Sequence, residues 1–321
     1  MLRYLIRRVL WALVLFVVIT MVTYVIFFII PANPAKLACG QRATPDCIKL
    51  ARHSLGLDQP VYAQYGRFLW RLVYHHDLGK SYVNRQSVNR TVLNAAPVTA
   101  SLVFGGAILW LSIALPIGIL SALRPRSLLD RTAMVFVLVG ISAPSFWIGL
   151  IFAYVIGFKL GWTPITGYCD FVNPSTDCGG PVQWGYHLVL PWVTFAVLYT
   201  ALYVRLIRAS VMETKTEDYV RTARAKGAPE SRVVTQHVLR NALLPVVTIL
   251  GLDIGAALGG AIFTESVFSL PGLGQTALNA IGSFDLPTVQ GIVVFATLCI
   301  IVANLIVDVF YSVIDPRIRL T

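Results

Sequence analysis

Long apolar stretches alternate with short polar ones along the whole chain. Five windows carry no charged residue: 9–30, 97–123, 132–158, 187–204 and 286–307. A sixth, 241–264, holds only Asp253. A helix needs roughly 20 residues to cross about 30 Å of hydrocarbon, and in lipid the backbone must satisfy its own polar groups. The pattern predicts an all-α polytopic membrane protein with six transmembrane helices. The first window follows Arg3, Arg7 and Arg8 as a signal peptide would, but its apolar run is too long and lacks a small-residue cleavage site. It reads as a retained anchor.

Composition agrees. The 321 residues are 56% hydrophobic and 13% charged, with a mean hydropathy of +0.72, whereas a soluble domain carries about 25% charge. The net charge of +11 does not indicate nucleic acid, because the basic residues are scattered between apolar runs and form no basic face interleaved with aromatics. Topology explains them better. Arg3, Arg7 and Arg8 precede the first span, Arg124, Arg126 and Arg131 join the second and third, and Arg317 and Arg319 follow the sixth. The loop 209–240 adds further Lys and Arg, while the connections 160–186 and 266–285 have none. Basic residues in short loops stay cytoplasmic, so both termini are expected inside. Segment 31–96 carries nine basic residues on the opposite side, but it is long enough to weaken the rule.

The cysteines provide a check on this topology. Cys39 and Cys47 fall in the first external segment, Cys169 and Cys178 in the second, and Cys299 alone in the sixth span. Two close pairs on the oxidising side suggest local disulfides. The competing reading, a metal site, needs further ligands, and His53, His75 and His76 form no zinc spacing.

Three regions are expected: an amino-terminal span (1–30), an external segment (31–96) and a five-span core (97–321) containing a cytoplasmic loop at 209–241. In the external segment Asp58 and Pro60 mark a helix start. Val61, Tyr65, Phe68, Leu69, Leu72 and Val73 then share one face. Such a helix lies along the membrane, covers a pore mouth or packs on its own domain.

No phosphate loop, H-E-x-x-H or G-x-S-x-G motif is present, so the chain is not expected to hydrolyse ATP. The charged stretch "DYVRTARAKGAPESRVVTQHVLRN", residues 218–241, is punctuated instead. Thr216 is the expected N-cap, and Glu217 and Asp218 suit the positive helix start. Lys226 precedes Gly227, which suits the left-handed position after a helix, and Pro229 then opens a second helix. A rigid protruding element without catalytic residues is suited to docking a partner.

This stretch resembles the cytoplasmic coupling loop of ABC-importer permeases. "RTARAKG" and "LRNALLPVV" are similar to the oligopeptide and dipeptide permease B type. The general motif begins Glu-Ala-Ala, where this chain has Arg221, Thr222 and Ala223. "MLRYLIRRVL", "LGLDQPVYAQYGRFLWRLV", "DLGKS", "ESVFSLPGLGQ" and "NLIVDVFYSVIDPRIRL" extend the resemblance in the same order. It implies a type I importer transmembrane domain in a bacterial inner membrane, paired with a second homologous permease subunit. Two ATPase subunits would use ATP and Mg, and an extracytoplasmic binding protein would deliver peptides. This chain itself would bind no cofactor or metal. Glu217, Asp218, Arg221, Thr222, Ala223, Lys226 and Gly227 match the ATPase contact. Related permeases carry nickel, glutathione or oligosaccharides; an ATPase-independent channel or secondary transporter is the other class of reading.

Gly251, Gly255 and Gly259 recur every four residues in the fifth span and expect either close helix packing or a wall of the translocation pathway. Asp253 stands beside them, an acid expected to face protein or water. Asn304 and Asp308 are expected as a packed polar pair. "SLPGLG", 269–274, predicts a tight turn through Pro271 and Gly272, with Gly274 following; in the resembled family it lies near the outer gate.

Overall fold

The computed structural model describes residues 2–26, 34–39, 44–54, 58–172 and 178–314. Helices dominate, and among the described residues strand pairing is limited to isolated bridges, Lys80 with Ser87 and Asp170 with Gly179. The first half of the chain forms α1 (Leu2–Tyr24), α2 (Pro34–Cys39), α3 (Pro45–Ser54), α4 (Val61–Tyr74), α5 (Val88–Leu123), α6 (Leu128–Ser142) and α7 (Ser145–Phe152), the last continuing as a π-helical Ala153–Lys159. The second half forms α8 (Pro181–Thr214), α9 (Asp218–Ala225), α10 (Glu230–Arg232), a π-helical Val233–Leu239, α11 (Arg240–Ala242), α12 (Leu244–Ala257), α13 (Ile262–Val267), α14 (Leu273–Gly282) and α15 (Leu286–Ile314).

Four helices are long and apolar enough to span: Ile6–Tyr24, Val88–Leu123, Pro181–Thr214 and Leu286–Val309. Two bent pairs bring the number to as many as six, Leu128–Ser142 with Ser145–Lys159 at 100° and Glu230–Ala242 with Leu244–Ala257 at 42°. The window 132–158 is therefore broken. Pro144 lacks an N–H and pushes the preceding residue out of the helical region, and Ala143 adopts φ −91°, ψ 127°. The window 241–264 also stops early. Gly260 sits at φ +132°, where a Cβ would lie 2.7 Å from the Gly274 Cα, so only glycine permits this backbone crossing. Arg317 and Arg319 lie outside the described residues.

The chain forms two compact units. The first comprises 1–99, 255–262 and 271–305. Here α4 lays its apolar face on α1 and α15, with Phe68, Tyr24 and Val294 in one buried cluster extended by Tyr65 and Leu72. Tyr65 Oη donates to the Val17 carbonyl at 2.9 Å, and the Tyr24 hydroxyl donates to Gln64 Oε1 at 3.2 Å. Of the expected apolar face, Val61 and Val73 remain exposed. A second cluster joins Val88, Val92, Ala95, Leu273 and Ile292. The Cys39 and Cys47 sulfurs are bonded, 2.15 Å apart.

Asp285, immediately before α15, is buried in this unit. Its carboxylate accepts from Ser81 Oγ at 2.6 Å, Tyr82 N at 2.8 Å and Thr288 Oγ1 at 2.6 Å. The segment after α4 is thereby pinned to the start of the last span.

The second unit comprises 100–254, 263–270 and 306–321. Its centre is α8, where Trp110 of α5 stacks on Tyr199 at 4.6 Å between ring centroids. Small residues set the other approaches: a Cβ on Gly118 would lie 2.9 Å from Ile207 Cβ, and one on Gly140 would lie 2.8 Å from Ala201 Cβ. Asp130, in the first turn of α6, accepts from Arg208 Nε at 2.6 Å and Arg208 Nη2 at 3.0 Å. It also accepts from Arg126 N at 2.8 Å and from the Ser121 hydroxyl. The Cys169 and Cys178 sulfurs are bonded at 2.23 Å, while Cys299, which belongs to the first unit, is free.

Candidate functional site

The polar stretch after α8 folds as its punctuation requires, with one shift at its start. Thr216 Oγ1 donates back to the Glu213 carbonyl at 2.7 Å and so closes α8, while Glu217 takes the N-cap position of α9 with φ −64°, ψ 145° and no side-chain cap bond. Thr216 is thus not the cap: its hydroxyl is already engaged with the preceding helix. The Glu217 carbonyl accepts from Val220 N and Arg221 N at 3.1 and 3.2 Å.

The far end of α9 is a Schellman motif. Ala228 N donates to the Ala223 carbonyl at 3.3 Å, and Gly227 N donates to the Arg224 carbonyl at 2.9 Å. This pattern needs a left-handed residue, and Gly227 has φ +80° with open space where a Cβ would stand. Pro229 caps α10, and Arg224 grips Glu230 through Nε at 3.1 Å and Nη2 at 2.8 Å across the turn.

Three contacts seat α9 on its own unit. Val220 is fully buried, Asn241 Nδ2 donates to the Tyr219 hydroxyl at 2.8 Å, and α9 packs along the π-helical 233–239. Ser210 Oγ donates to the Ala242 carbonyl at 2.7 Å, joining α8 to α11. The opposite face is open. Glu217, Asp218, Arg221, Thr222, Lys226 and Gly227 are exposed and Ala223 is half-buried. The ion pair of Arg221 Nη1 with Asp218 Oδ1 is long, 3.6 Å, with both side chains mostly in solvent, so it leaves both charges available to another surface.

The remaining sequence-predicted residues are placed in separate sets. A Cβ on Gly255 would lie 2.9 Å from Ala303 Cβ, and one on Gly259 would lie 2.7 Å from Ala296 Cβ, so these two seat α15 against the end of α12 and the turn after it. Gly251 is half-buried. Asp253 accepts from the buried Tyr203 hydroxyl of α8 at 2.8 Å. Asn304 and Asp308 are half-buried along α15.

The turn near 271 differs from expectation. The left-handed residue is Ser269 at φ +51°, closed by Leu270 N donating to the Glu265 carbonyl at 2.9 Å. Gly272 is extended, at φ −90°, ψ −176°, as the N-cap of α14. Gly274 packs its backbone within this region, where a Cβ would lie 2.7 Å from Ile262 Cα.

Sequence reasoning missed Asp130, Arg208, Tyr203 and Asp285. Ser127 and Asp130 fit the S-x-x-[DE] signature of a capped helix start, and Asp130 N does donate to Ser127 Oγ at 3.2 Å. Nothing local signals Arg208 as the partner, 78 residues away.

Comparison with known proteins gives one answer along the whole length. Residues 114–320 match the family of binding-protein-dependent transport system inner membrane components, and residues 1–103 match that family's N-terminal model. The dipeptide transport system permease protein DppB of Escherichia coli K12 is 36% identical over 99% of both chains. The di/tripeptide transport system permease protein DppB of Pseudomonas aeruginosa is 37% identical over 99% of both, and a putative peptide transport system permease protein of Brucella abortus is 35% identical over 98% of both. Among solved structures an amino acid ABC transporter crystallised with histidines shares the fold, with a TM-score of 0.51 at 14% identity over 69% of this chain and 93% of that one. The chain belongs to the binding-protein-dependent transport system inner membrane components, the permease subunits of ABC importers.

Proposed function

We propose that this permease carries peptides, and that α9 with the Gly227 turn is the element through which ATPase subunits drive it. The observation that carries the reading is the contrast between the two faces of α9. One face is anchored by Val220 and Tyr219; the other exposes Asp218, Arg221, Thr222 and Lys226, whose side-chain bonds among the described residues, Arg221 with Asp218 and Thr222 Oγ1 to the Asp218 carbonyl, stay within α9 itself. A helix clamped at both ends transmits displacement to the spans it joins. The full-length relatives named for dipeptides and peptides support the substrate class.

On this reading both termini and α9 are cytoplasmic. Residues 97–321 are the permease core, and 31–96 an extracytoplasmic elaboration. Two ATPase subunits seat against α9 and its counterpart on a second permease subunit and consume ATP and Mg. An extracytoplasmic binding protein delivers the peptide, and Gly251, Asp253, Gly255 and Gly259 belong to the span that moves beside the pathway. Pro271, Gly272 and Gly274 lie towards the outer gate.

Gly227→Val tests the coupling element. A β-branched residue strongly resists positive φ, so the chain must leave α9 at another angle although no neighbour obstructs the side chain. Reconstituted complexes are expected to insert normally and to lose ATPase assembly or stimulated hydrolysis, and uptake with it. Parent-like assembly, hydrolysis and uptake would refute the coupling role. Identifying what the cognate binding protein retains from a peptide mixture tests the substrate.

A further inference from the structure

Asp253 is the one charged residue of α12, and it stands deep in the second unit's spans. Ser210 bonds the Ala242 carbonyl at the end of these spans that leads into α9. Tyr203 lies seven residues before Ser210 on α8, and Asp253 lies eleven beyond Ala242. At about 1.5 Å of rise per residue, both sit roughly 10–16 Å from that contact, well inside a hydrocarbon layer about 30 Å thick. A carboxylate at such depth is costly unless protein or water answers it.

The answer within this chain is incomplete. Oδ2 accepts from the Tyr203 hydroxyl at 2.8 Å, and Tyr199, one turn earlier on α8, lies close enough to interact with the same carboxylate. Both rings are held in place: Tyr203 is buried, and Tyr199 stacks on Trp110 at 4.6 Å with Phe195 at 5.0 Å. Hydroxyls donate but bring no positive charge. Among the described residues no lysine, arginine or histidine pairs with Asp253, and Oδ1 has no hydrogen-bond partner. Asp130 in the same unit shows the alternative, its charge met by Arg208 through two bonds. Asp253 also stands beside the open side of its helix. It is half-buried itself, while Ile249, one turn earlier, is 36% exposed and Leu252 45%.

We propose that Asp253 is the binding point for a primary ammonium in the translocation pathway, and that the ammonium is the amino terminus of the transported peptide. The inference rests on the peptide reading above and deepens it. Tyr203 fixes one carboxylate oxygen and leaves the other to accept a charge-assisted bond from one of the three ammonium N–H donors. Peptides of different sequence share a backbone and two charged ends, so one fixed negative charge serves varied cargo. The rigid aromatic wall behind it holds that charge in position without competing for the ligand.

Asp253→Asn in the reconstituted importer with its binding protein tests this, because the amide keeps an acceptor for Tyr203 and removes only the charge. Peptide uptake at saturating loaded binding protein is expected to fall about tenfold, the factor that one lost charge-assisted bond corresponds to, with the melting point near the parent. Asp253→Glu is expected to recover part of the loss. Parent-like uptake by Asp253→Asn would reduce Asp253 to a partner for Tyr203 and overturn the proposal. A second readout needs no transport. In a Cys299→Ala background, Ile249→Cys is expected to react faster with a cationic than with an anionic methanethiosulfonate, and adding Asp253→Asn to abolish that preference. Equal rates with Asp253 in place would mean that its charge is shielded, by a cation of the second permease subunit or by lipid, and would overturn the proposal. Ala-Ala is expected to slow this labelling, and N-acetyl-Ala-Ala, which lacks the ammonium, to leave it unchanged. Equal protection by both, or by neither, would overturn the ammonium as ligand. A parent importer that takes up no peptide defeats the function proposed above, whereas failure of this inference alone leaves parental uptake intact.

Discussion

Two buried carboxylates, Asp130 in the second unit and Asp285 in the first, solve the same problem differently. Each lies at the start of a helix, where unpaired N–H groups and the helix dipole favour negative charge. Each also accepts from a serine hydroxyl and a backbone N–H outside its helix: Ser121 and Arg126 N for Asp130, Ser81 and Tyr82 N for Asp285. Only Asp130 adds a cation, the two-pronged Arg208 guanidinium of α8. Neutral donors and a helix start therefore suffice to hold a buried acid in this protein. The guanidinium is the group that needs a partner, because Arg208 stands on an apolar span with three quarters of its side chain buried. Asp130 binds a charge that α8 could not otherwise carry inward, whereas Asp285 fastens a loop to a helix end.

Substitution can break this comparison. Asp130→Asn leaves Arg208 without its counter-charge, and removing one partner of a buried pair typically costs about 3–5 kcal/mol. The purified complex is expected to melt far below the parent in detergent. Asp285→Asn leaves no cation behind. It weakens charge-assisted bonds and turns an amide N–H towards existing donors, and about 1–3 kcal/mol is expected. Its melting point should fall between the parent and the Asp130 variant. Equal losses at the two sites would mean that the guanidinium adds nothing, and the distinction drawn here would fail.

Neither site was fully visible in the sequence, and the reason is separation along the chain. Hydropathy windows report averages over roughly 20 residues, which is enough to find the spans and to set Asp253 apart. They pass over a break at Ala143–Pro144 because proline there interrupts the helix without adding charge. Local punctuation was more informative. Gly227 and Pro229 forecast the turn after α9, since a left-handed position and a fixed φ are requirements of the backbone itself. The cap moved by one residue because Thr216 had a competing acceptor in α8. Arg208, the cation on Asp130, lies 78 residues away, and Ser81 and Tyr82, which donate to Asp285, lie more than 200 residues away, so only tertiary packing creates these contacts. The same holds for Gly260, whose approach to Gly274 stopped α12 short of its apolar window.

The Arg224–Glu230 pair extends the comparison to the surface and carries the smallest expected effect. Its geometry is as good as that of Arg208 with Asp130, two-pronged at 3.1 and 2.8 Å. Its setting is opposite, with Glu230 61% exposed. Water already solvates both charges, so either can lose the other without being stranded. The turn that the pair spans is held independently by the Gly227 and Ala228 backbone bonds, by buried Val220 and by Tyr219 with Asn241. Arg224→Ala is accordingly expected to leave the melting point within error of the parent, and to leave uptake and stimulated ATP hydrolysis near parental levels. A double-mutant cycle with Glu230→Ala should return a coupling too small to resolve in melting. If Arg224→Ala instead abolished uptake while the melting point held, the guanidinium would be contacting the ATPase rather than bracing the turn. The exposed face of α9 would then extend one position further than Asp218, Arg221, Thr222 and Lys226 define it. Testing Glu230→Ala alone separates these cases, because a bracing pair fails from either side and a docking arginine fails only from its own.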